Sequence, residues 1–312
     1  LTKGTCLAWG QHSVELPKAA KKPKQIGKAG QANDQTNGSL GKALEPAIEK
    51  IGQGSRVTHG KLRCEFDGQG LTSIHFGECL IALGGPEPNF WRAPMDNDGI
   101  KGWTGRQFKA LDRWKDQGIF DAAHHVEQFT IRKQQDLVIC LTKGYLASGV
   151  GKLRYRTEMI IGDAVIRLSH RFSVPKALHD LPRLGVRWRL ANDLEDLEWL
   201  GEGPHETYID RRASGQMRVH RSTVSEQYVP YILPQEHGNH TGVQWLSCGN
   251  AATQASFHAT SPIEASASRY PQEQLLPAFH TYELSPTSSV YVCLDVMQRG
   301  VGGASCGPDT LP

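Results

Sequence analysis

Eleven residues, Asn89-Phe90-Trp91-Arg92-Ala93-Pro94-Met95-Asp96-Asn97-Asp98-Gly99, hold two large aromatics, a guanidinium and two carboxylates. Pro88 and Pro94 keep this stretch out of helix and bias each preceding residue to extended backbone. Gly85 and Gly99 mark turns at its edges. The expectation is an ordered, irregular loop. Trp91 offers a flat apolar face and Arg92 a forked donor. A sugar ring, with its C–H faces and its rim of hydroxyls, is recognised by such a pair. The competing expectation is structural: Trp91 and Arg92 anchor the loop, while Asp96 and Asp98 cap its turns.

Other carboxylates lie in loops of similar composition. Glu202 and Glu206 flank His205 in a Gly-Pro loop, and Glu236 precedes His237 between Pro234 and Gly238. Glycoside hydrolysis commonly uses two carboxyl groups, about 5 Å apart for retention and wider for inversion. Asp96 and Asp98, two residues apart on a turn, do not suit that role. His124-His125 is an adjacent pair rather than an i, i+4 pair, and no ligand cluster for a metal is visible.

Composition narrows the classes. No stretch approaches eighteen uninterrupted apolar residues, so no membrane-spanning helix is expected. The first residues, from Leu1 to Trp9, lack an initiator Met and signal-peptide architecture, which reads as a fragment of a longer protein. Seven widely spaced Cys with no C-x-x-C point to reduced thiols in a cytoplasmic protein rather than a disulfide scaffold. The net charge of +3 is unevenly placed. Residues 1–56 hold nine Lys/Arg against four Asp/Glu, and the remainder holds 26 against 28. The large domain therefore has no basic excess for nucleic acid.

The elements that position these loops are strands. Leu62, Cys64 and Phe66 alternate with polar residues, Asp67 to Gly70 turns the chain, and Leu71, Ile74 and Phe76 follow. Alternation from Leu153 to Ile161 runs through Gly162-Asp163 into Ala164, Ile166, Leu168, His170 and Phe172, a hairpin with Gly first in its turn. Leu184 to Leu190 and Val290 to Val296 give two more strands. Leu111 and Trp114 suggest one short helix ending near Gly118. Many short alternating runs separated by turns argue for an antiparallel all-β sandwich or barrel with little helix. Upstream, Trp9 to Pro17 reads as a short strand. Lys18 to Arg56 reads as a basic, flexible linker with too little apolar surface to order itself. The domain proper is expected over 57–312.

Four motifs bear a resemblance. Asn89 to Gly99, Trp199 to Arg211, Tyr228 to Gly238 and Asp295 to Pro308 resemble, in order and spacing, motifs in the C-terminal, small-chain β-sandwich of family-2 glycoside hydrolases of the β-galactosidase type. The resemblance implies a galactose mutarotase-like supersandwich preceded by the last strand of an immunoglobulin-like domain (1–17). It also implies one or two further strands beyond Pro312. The hydrolytic glutamates would lie in an upstream (β/α)₈ barrel, so this chain would have no catalytic residue and would be inactive alone. Its partners would be a β-galactoside or galactose, the barrel and immunoglobulin-like domains, and a further copy in a homo-oligomer. Mg and Na would be held by other domains.

Two site expectations follow. Gly99, Ile100, Lys101, Gly102 and Trp103 correspond to a mobile loop near the active site, a lid with glycine hinges. Ser305 and Cys306 correspond to the point where one branch of the family places a sugar-stacking Trp, and Cys306 has no π-face for that role. Noncatalytic carbohydrate binding through Trp91, Arg92, Glu206, Tyr208, Arg211, Glu236 and His237 is the alternative. Aldose mutarotation by His205 or His237 with Glu206 or Glu236 is a third reading.

Overall fold

The computed structural model describes residues 45–302 and, as backbone, residues 5–8. Sixteen strands are found among them. The first run comprises β1 (Thr5–Ala8), β2 (Ala47–Ile51), β3 (Gly54–His59), β4 (Leu62–Phe66), β5 (Leu71–Phe76) and β6 (Cys79–Asn89). After the helix α1 (Ala110–Gln117) come β7 (Ala123–Gln134), β8 (Leu137–Ser148), β9 (Gly151–Ile161) and β10 (Val165–Ser173). The last run comprises β11 (Arg183–Leu190), β12 (Asp196–Gly201), β13 (Arg218–Thr223), β14 (His240–Gly249), β15 (Gln254–Ser268) and β16 (Val290–Gln298).

The expected all-β antiparallel sandwich is what forms. The strands join in the order β2-β3-β4-β5-β6-β11-β16-β15-β1-β10-β9-β8-β7, with β14, β12 and β13 branching from β15. Only β1 pairs in parallel among the described strands. The sheet's inner faces enclose the largest of its buried apolar clusters, from Val57, Leu62 and Ile74 through Trp188 and Trp199 to Ile161 and Leu168; a second gathers Trp114 of α1 with Phe90, Leu146 and Leu153. Period-two patterning explains this burial. In β4, Leu62, Cys64 and Phe66 are buried while Arg63 and Glu65 are not, because successive side chains leave a strand on opposite faces.

Turns follow their residues closely. Asp67 Oδ1 accepts the Gln69 and Gly70 amides at 2.7 and 2.8 Å, closing the turn before β5. Helix α1 ends at Gly118 in the left-handed region, φ 64°, as its sequence indicates. The β9–β10 turn differs from expectation. Ala164 is its last loop residue, at φ 59°, rather than the first residue of the strand. The loop thus has three residues with the left-handed one last, a standard alternative to the two-residue turn.

The sandwich also starts earlier than expected. β2 pairs along its length with β3, and Glu45 accepts an ion pair from Lys133 at 2.8 Å. All five residues of β2 are exposed, so no alternation advertises it. The expected strand from Trp9 to Pro17 and the linker up to Leu44 lie outside the described residues.

Candidate functional site

The four motif segments meet at one end of the sandwich, where β16 runs out into Arg299-Gly300-Val301-Gly302. Every carbonyl of these four residues is held. Arg92 Nη1 donates to the Arg299 oxygen at 2.6 Å and Nη2 to the Gly300 oxygen at 3.0 Å. Asn97 Nδ2 donates to the Val301 and Gly302 oxygens at 2.6 and 3.1 Å. From the other side, Asp210 accepts the Val301 and Gly302 amides, both at 2.9 Å. The Arg299 amide donates to the Pro182 oxygen. Met95, Tyr208 and Val301, one from each of three motifs, close a small apolar cluster over this clamp.

Buried charges fix the clamp. Arg92 and Arg299, both fully buried, share Asp98 at 3.1 and 3.5 Å. Arg299 also reaches Asp180 at 3.0 Å, and Asp180 takes Arg113 as a second partner. Burial pushes the Asp98 carboxyl above the usual range, against the pull of both guanidiniums. Asp98 Oδ2 accepts the Met95 amide as well, so the expected turn cap is present. Deeper in, Arg183 binds Asp295 at 3.0 Å and Glu236 at 3.2 Å. Asp295 stands opposite Glu264 in the β15–β16 register. Burial, with Glu264 and Glu236 nearby, pushes the Asp295 carboxyl up to about 7.

The second and third motifs are joined by Glu206. Its carboxylate takes Arg211 at 2.9 Å, the Tyr231 hydroxyl and the Gly238 amide at 2.8 Å. Gln235 Oε1 accepts the Asp96 amide at 2.9 Å, tying the third motif to the first. Tyr208 is buried, and burial beside Glu206 and Glu236 pushes its phenol far above its ordinary range. His237 is buried too, with its ring edge-on to Tyr228.

These positions revise the sugar-binding expectation. Arg92, Glu206, Tyr208, Glu236 and His237 are buried, and all but Tyr208 hydrogen-bond to protein groups through their side chains. Trp91 is half-buried and sets its indole against Phe120, with ring centroids 5.5 Å apart. Arg211 alone of the seven has an exposed side chain. The anchoring expectation for Trp91 and Arg92 is the one that the geometry follows.

Most of the segment expected to form a lid, Gly99–Trp103, is held by contacts. Lys101 is buried and its ammonium donates to the carbonyls of Pro234, Leu275 and Ala278 at 2.6, 2.7 and 2.6 Å. Ile100 exchanges backbone hydrogen bonds with the Gln107 amide group. Gly102, at φ 75°, lies so close to Phe279 that a β-carbon would sit 2.8 Å from its ring. These contacts fasten the first four residues. Trp103 is 59 % exposed. Ser305 and Cys306 lie outside the described residues.

Around the clamp, large apolar side chains face outward. Trp103, Phe108, Ile209, Ile232, Phe279 and Tyr282 are all exposed, Phe108 by 82 %. Phe108 also holds φ 58°, a conformation rare for a non-glycine residue. Asp112 Oδ2 accepts the amides of Gln107 and Phe108 at 2.6 and 2.7 Å and keeps it there. The residues that sequence reasoning missed are Asn97, Asp180, Arg183, Asp210 and Arg299. Asn97, Asp210 and Arg299 lie inside the motifs, but nothing local marks Asp180 or Arg183. No group of side chains suited to a metal ion is found among the described residues.

Known proteins match this chain over the same region. A family model described as beta galactosidase small chain matches residues 58–312. A β-galactosidase of Priestia megaterium is 29% identical over 268 residues, covering 84% of this chain and 25% of the relative. One from Vibrio vulnificus is 32% identical over 227 residues, covering 71% and 21%. One from Actinobacillus pleuropneumoniae is 28% identical over 223 residues, again covering 71% and 21%. The chain thus spans between a fifth and a quarter of the length of these relatives. Its motifs, its sandwich and the extent of the match agree: the chain belongs to the β-galactosidase small-chain family.

Proposed function

We propose that this chain is the wall-building part of a β-galactosidase whose hydrolytic carboxyl groups lie elsewhere in the parent protein. One observation carries the reading: the first and second motifs hold the backbone of residues 299–302 in the fourth, and the third is tied to the first two. That clamp holds the last described residues, up to Gly302, in place. Rigid placement of this kind suits a segment that positions substrate, since catalysis depends on sub-ångström geometry. Exposed apolar side chains, Ile209 next to the clamp's Asp210 among them, suit docking onto the barrel and immunoglobulin-like parts of the parent. In this reading Trp103, Thr104 and Gly105, ahead of the Arg106–Asp116 and Gln107–Asp112 contacts, are the movable portion of the lid.

In this reading the ligand met at the wall is a β-galactoside, lactose among them, or galactose. Mg and Na are held by other parts of the parent, and copies of the parent assemble together. The five described cysteines, all free thiols, fit a cytoplasmic setting. A carbohydrate-binding module or a mutarotase built on the motif residues has less support, since Glu206 and Glu236 are engaged in holding loops together.

The test is hydrolysis of nitrophenyl β-galactoside. The full-length parent should release nitrophenol and the 312-residue chain alone should not. Turnover by the pure chain would overturn the reading.

A further inference from the structure

The sandwich holds a second concave site, away from the clamp. It is a cavity of about 190 Å³ between the β4–β5 turn and β6 on one side and strands β7, β8 and β9 on the other. Its walls are half polar. Phe66 and Phe129, with centroids 5.7 Å apart, form an apolar floor. The Tyr155 hydroxyl and His124 Nε2 lie 2.7 Å apart on one wall, and Thr157 Oγ1, next along the same face, is 2.9 Å from His170 Nδ1.

Three strand irregularities surround this cavity, and each brings lining residues to it. In β7 the register slips between Val126 and Gln128, leaving Glu127 without a partner on β8. His124 and Val126 share one face by alternation. Phe129 would fall on the other, and the extra residue returns it to the cavity side. In β6 the register against β11 breaks between Gly84 and Glu87, which brings Pro86 and Pro88 to the opposite wall. Between β4 and β5 it slips beside Phe66. Bulges of this type re-aim side chains and gather at binding sites. Gly144 is a further device. A β-carbon there would lie 2.8 Å from the Tyr155 hydroxyl, so only glycine leaves room for that phenol.

The chemistry of the walls selects the ligand. No Lys or Arg lines the cavity. Asp67 is occupied by its own turn and Glu87 by Arg187 at 3.3 Å. Partial burial draws the His124 imidazole below its ordinary value, which favours its neutral form. An anion therefore has no counter-charge. The volume is below the 300–1,000 Å³ or so of sites for drug-sized molecules, which leaves room for about one ring. Hydroxyl and imidazole groups above an aromatic floor match a ring with apolar C–H faces and a rim of hydroxyls.

We infer that this cleft binds one neutral pyranose ring, noncatalytically and apart from the wall that the motifs build. The choice of a galactose-type ring as first probe rests on the β-galactosidase reading; the site itself does not.

Saturation-transfer NMR on the 312-residue chain tests it, with methyl β-galactoside, methyl β-glucoside, galactose and galactose 6-phosphate at tens of millimolar. Transfer is expected from galactose and methyl β-galactoside and not from the phosphate. Thr142→Phe, which fills the cavity, should weaken binding about tenfold or more with the melting temperature unchanged. If that variant unfolds, His124→Ala on the exposed edge strand should give the same loss. Transfer from no sugar overturns the site, as does transfer undiminished in both variants or equal transfer from the phosphate. Transfer from the glucoside alone supports the site while counting against the galactosidase-based choice of ring. Nitrophenyl galactoside hydrolysis by the parent answers that second question separately.

Discussion

Arg92 and Arg299 are fully buried side by side, and Arg92 Nη1 donates to the Arg299 carbonyl at 2.6 Å. Two buried guanidiniums that share one carboxylate repel each other in a dry interior. Asp98 between them and Asp180 beyond Arg299 offset that repulsion. The arrangement needs a planar fork, because Arg92 serves the Arg299 oxygen, the Gly300 oxygen and Asp98 at once.

Arg92→Ala should therefore destabilise the chain strongly. Removing one partner from a buried ion pair typically costs about 3–5 kcal/mol, since the other charge stays buried. Arg92→Lys should recover little of this, because an ammonium cannot reproduce the fork. Adding Asp98→Asn to Arg92→Ala should restore part of the loss, because Asp98 then keeps only the longer 3.5 Å pairing with Arg299, while Arg299 keeps Asp180 at 3.0 Å. Urea unfolding of the single and double variants checks this, and a double variant no better than Arg92→Ala would contradict it.

Much of the sandwich was legible because its signal is local. Leu62 to Phe66 and Leu153 to Ile161 alternate, and the Gly118 cap announces the end of α1. β2 was not legible, since a strand exposed on both faces has no period to read. The site divides in the same way. Prolines around Trp91 and Arg92 showed an ordered loop, and Asp98 served as the cap its spacing suggested. The partners did not show. Arg92 meets Arg299 across 207 positions, and Glu206 meets Gly238 across 32. Such pairings are set by sheet topology, which no window of sequence contains. Lys101 misled for a related reason: beside two glycines it reads as mobile, and only the folded chain supplies its three carbonyls.

Gly300 gives a prediction about placement rather than stability. A β-carbon there would sit 2.3 Å from Asp210 Oδ2, the oxygen that holds the Gly302 amide. Gly300→Ala must push Asp210 away or shift the backbone. In the full-length parent, a displacement of about 1 Å at a substrate-positioning segment should lower kcat/KM by about 100-fold. Kinetics with nitrophenyl β-galactoside, alongside circular dichroism to verify the fold, measure it. Unchanged kcat/KM would separate the clamp from function.

Asp295 gives a pH dependence. Its folded-state carboxyl titrates near 7, raised from 3.8 by burial and the facing Glu264 and Glu236, with Arg183 pulling the other way. A raised folded value means that the folded chain holds the proton more tightly than the unfolded chain. Its stabilisation is thus complete below the unfolded value and is lost as pH rises through the folded one. The melting temperature of wild type relative to Asp295→Asn should fall between about pH 5 and about pH 7.5 and then level off. A difference that stays constant across that window would contradict the assignment.

Phe108 brings stability and function into opposition. Its φ of 58° places a bulky side chain where glycine sits without strain, and the residue is 82 % exposed among the described residues, which offer it little packing in return. A left-handed non-glycine residue costs about 1–2 kcal/mol. Part of that returns with glycine, less the entropy that glycine adds to the unfolded state. Phe108→Gly should therefore leave the isolated chain as stable or more stable by up to about 1 kcal/mol. Asp112 is unaffected, since it binds the backbone amides of Gln107 and Phe108 and not the ring. If the ring is held outward for the rest of the parent to cover, the same substitution should weaken the full-length enzyme, raising KM or lowering thermal stability of the assembled protein. Denaturation of the chain and kinetics of the parent are the paired measurements. A variant neutral in both would mean that the exposed ring has no partner, and the docking surface would have to be sought among Ile232, Phe279 and Tyr282 instead.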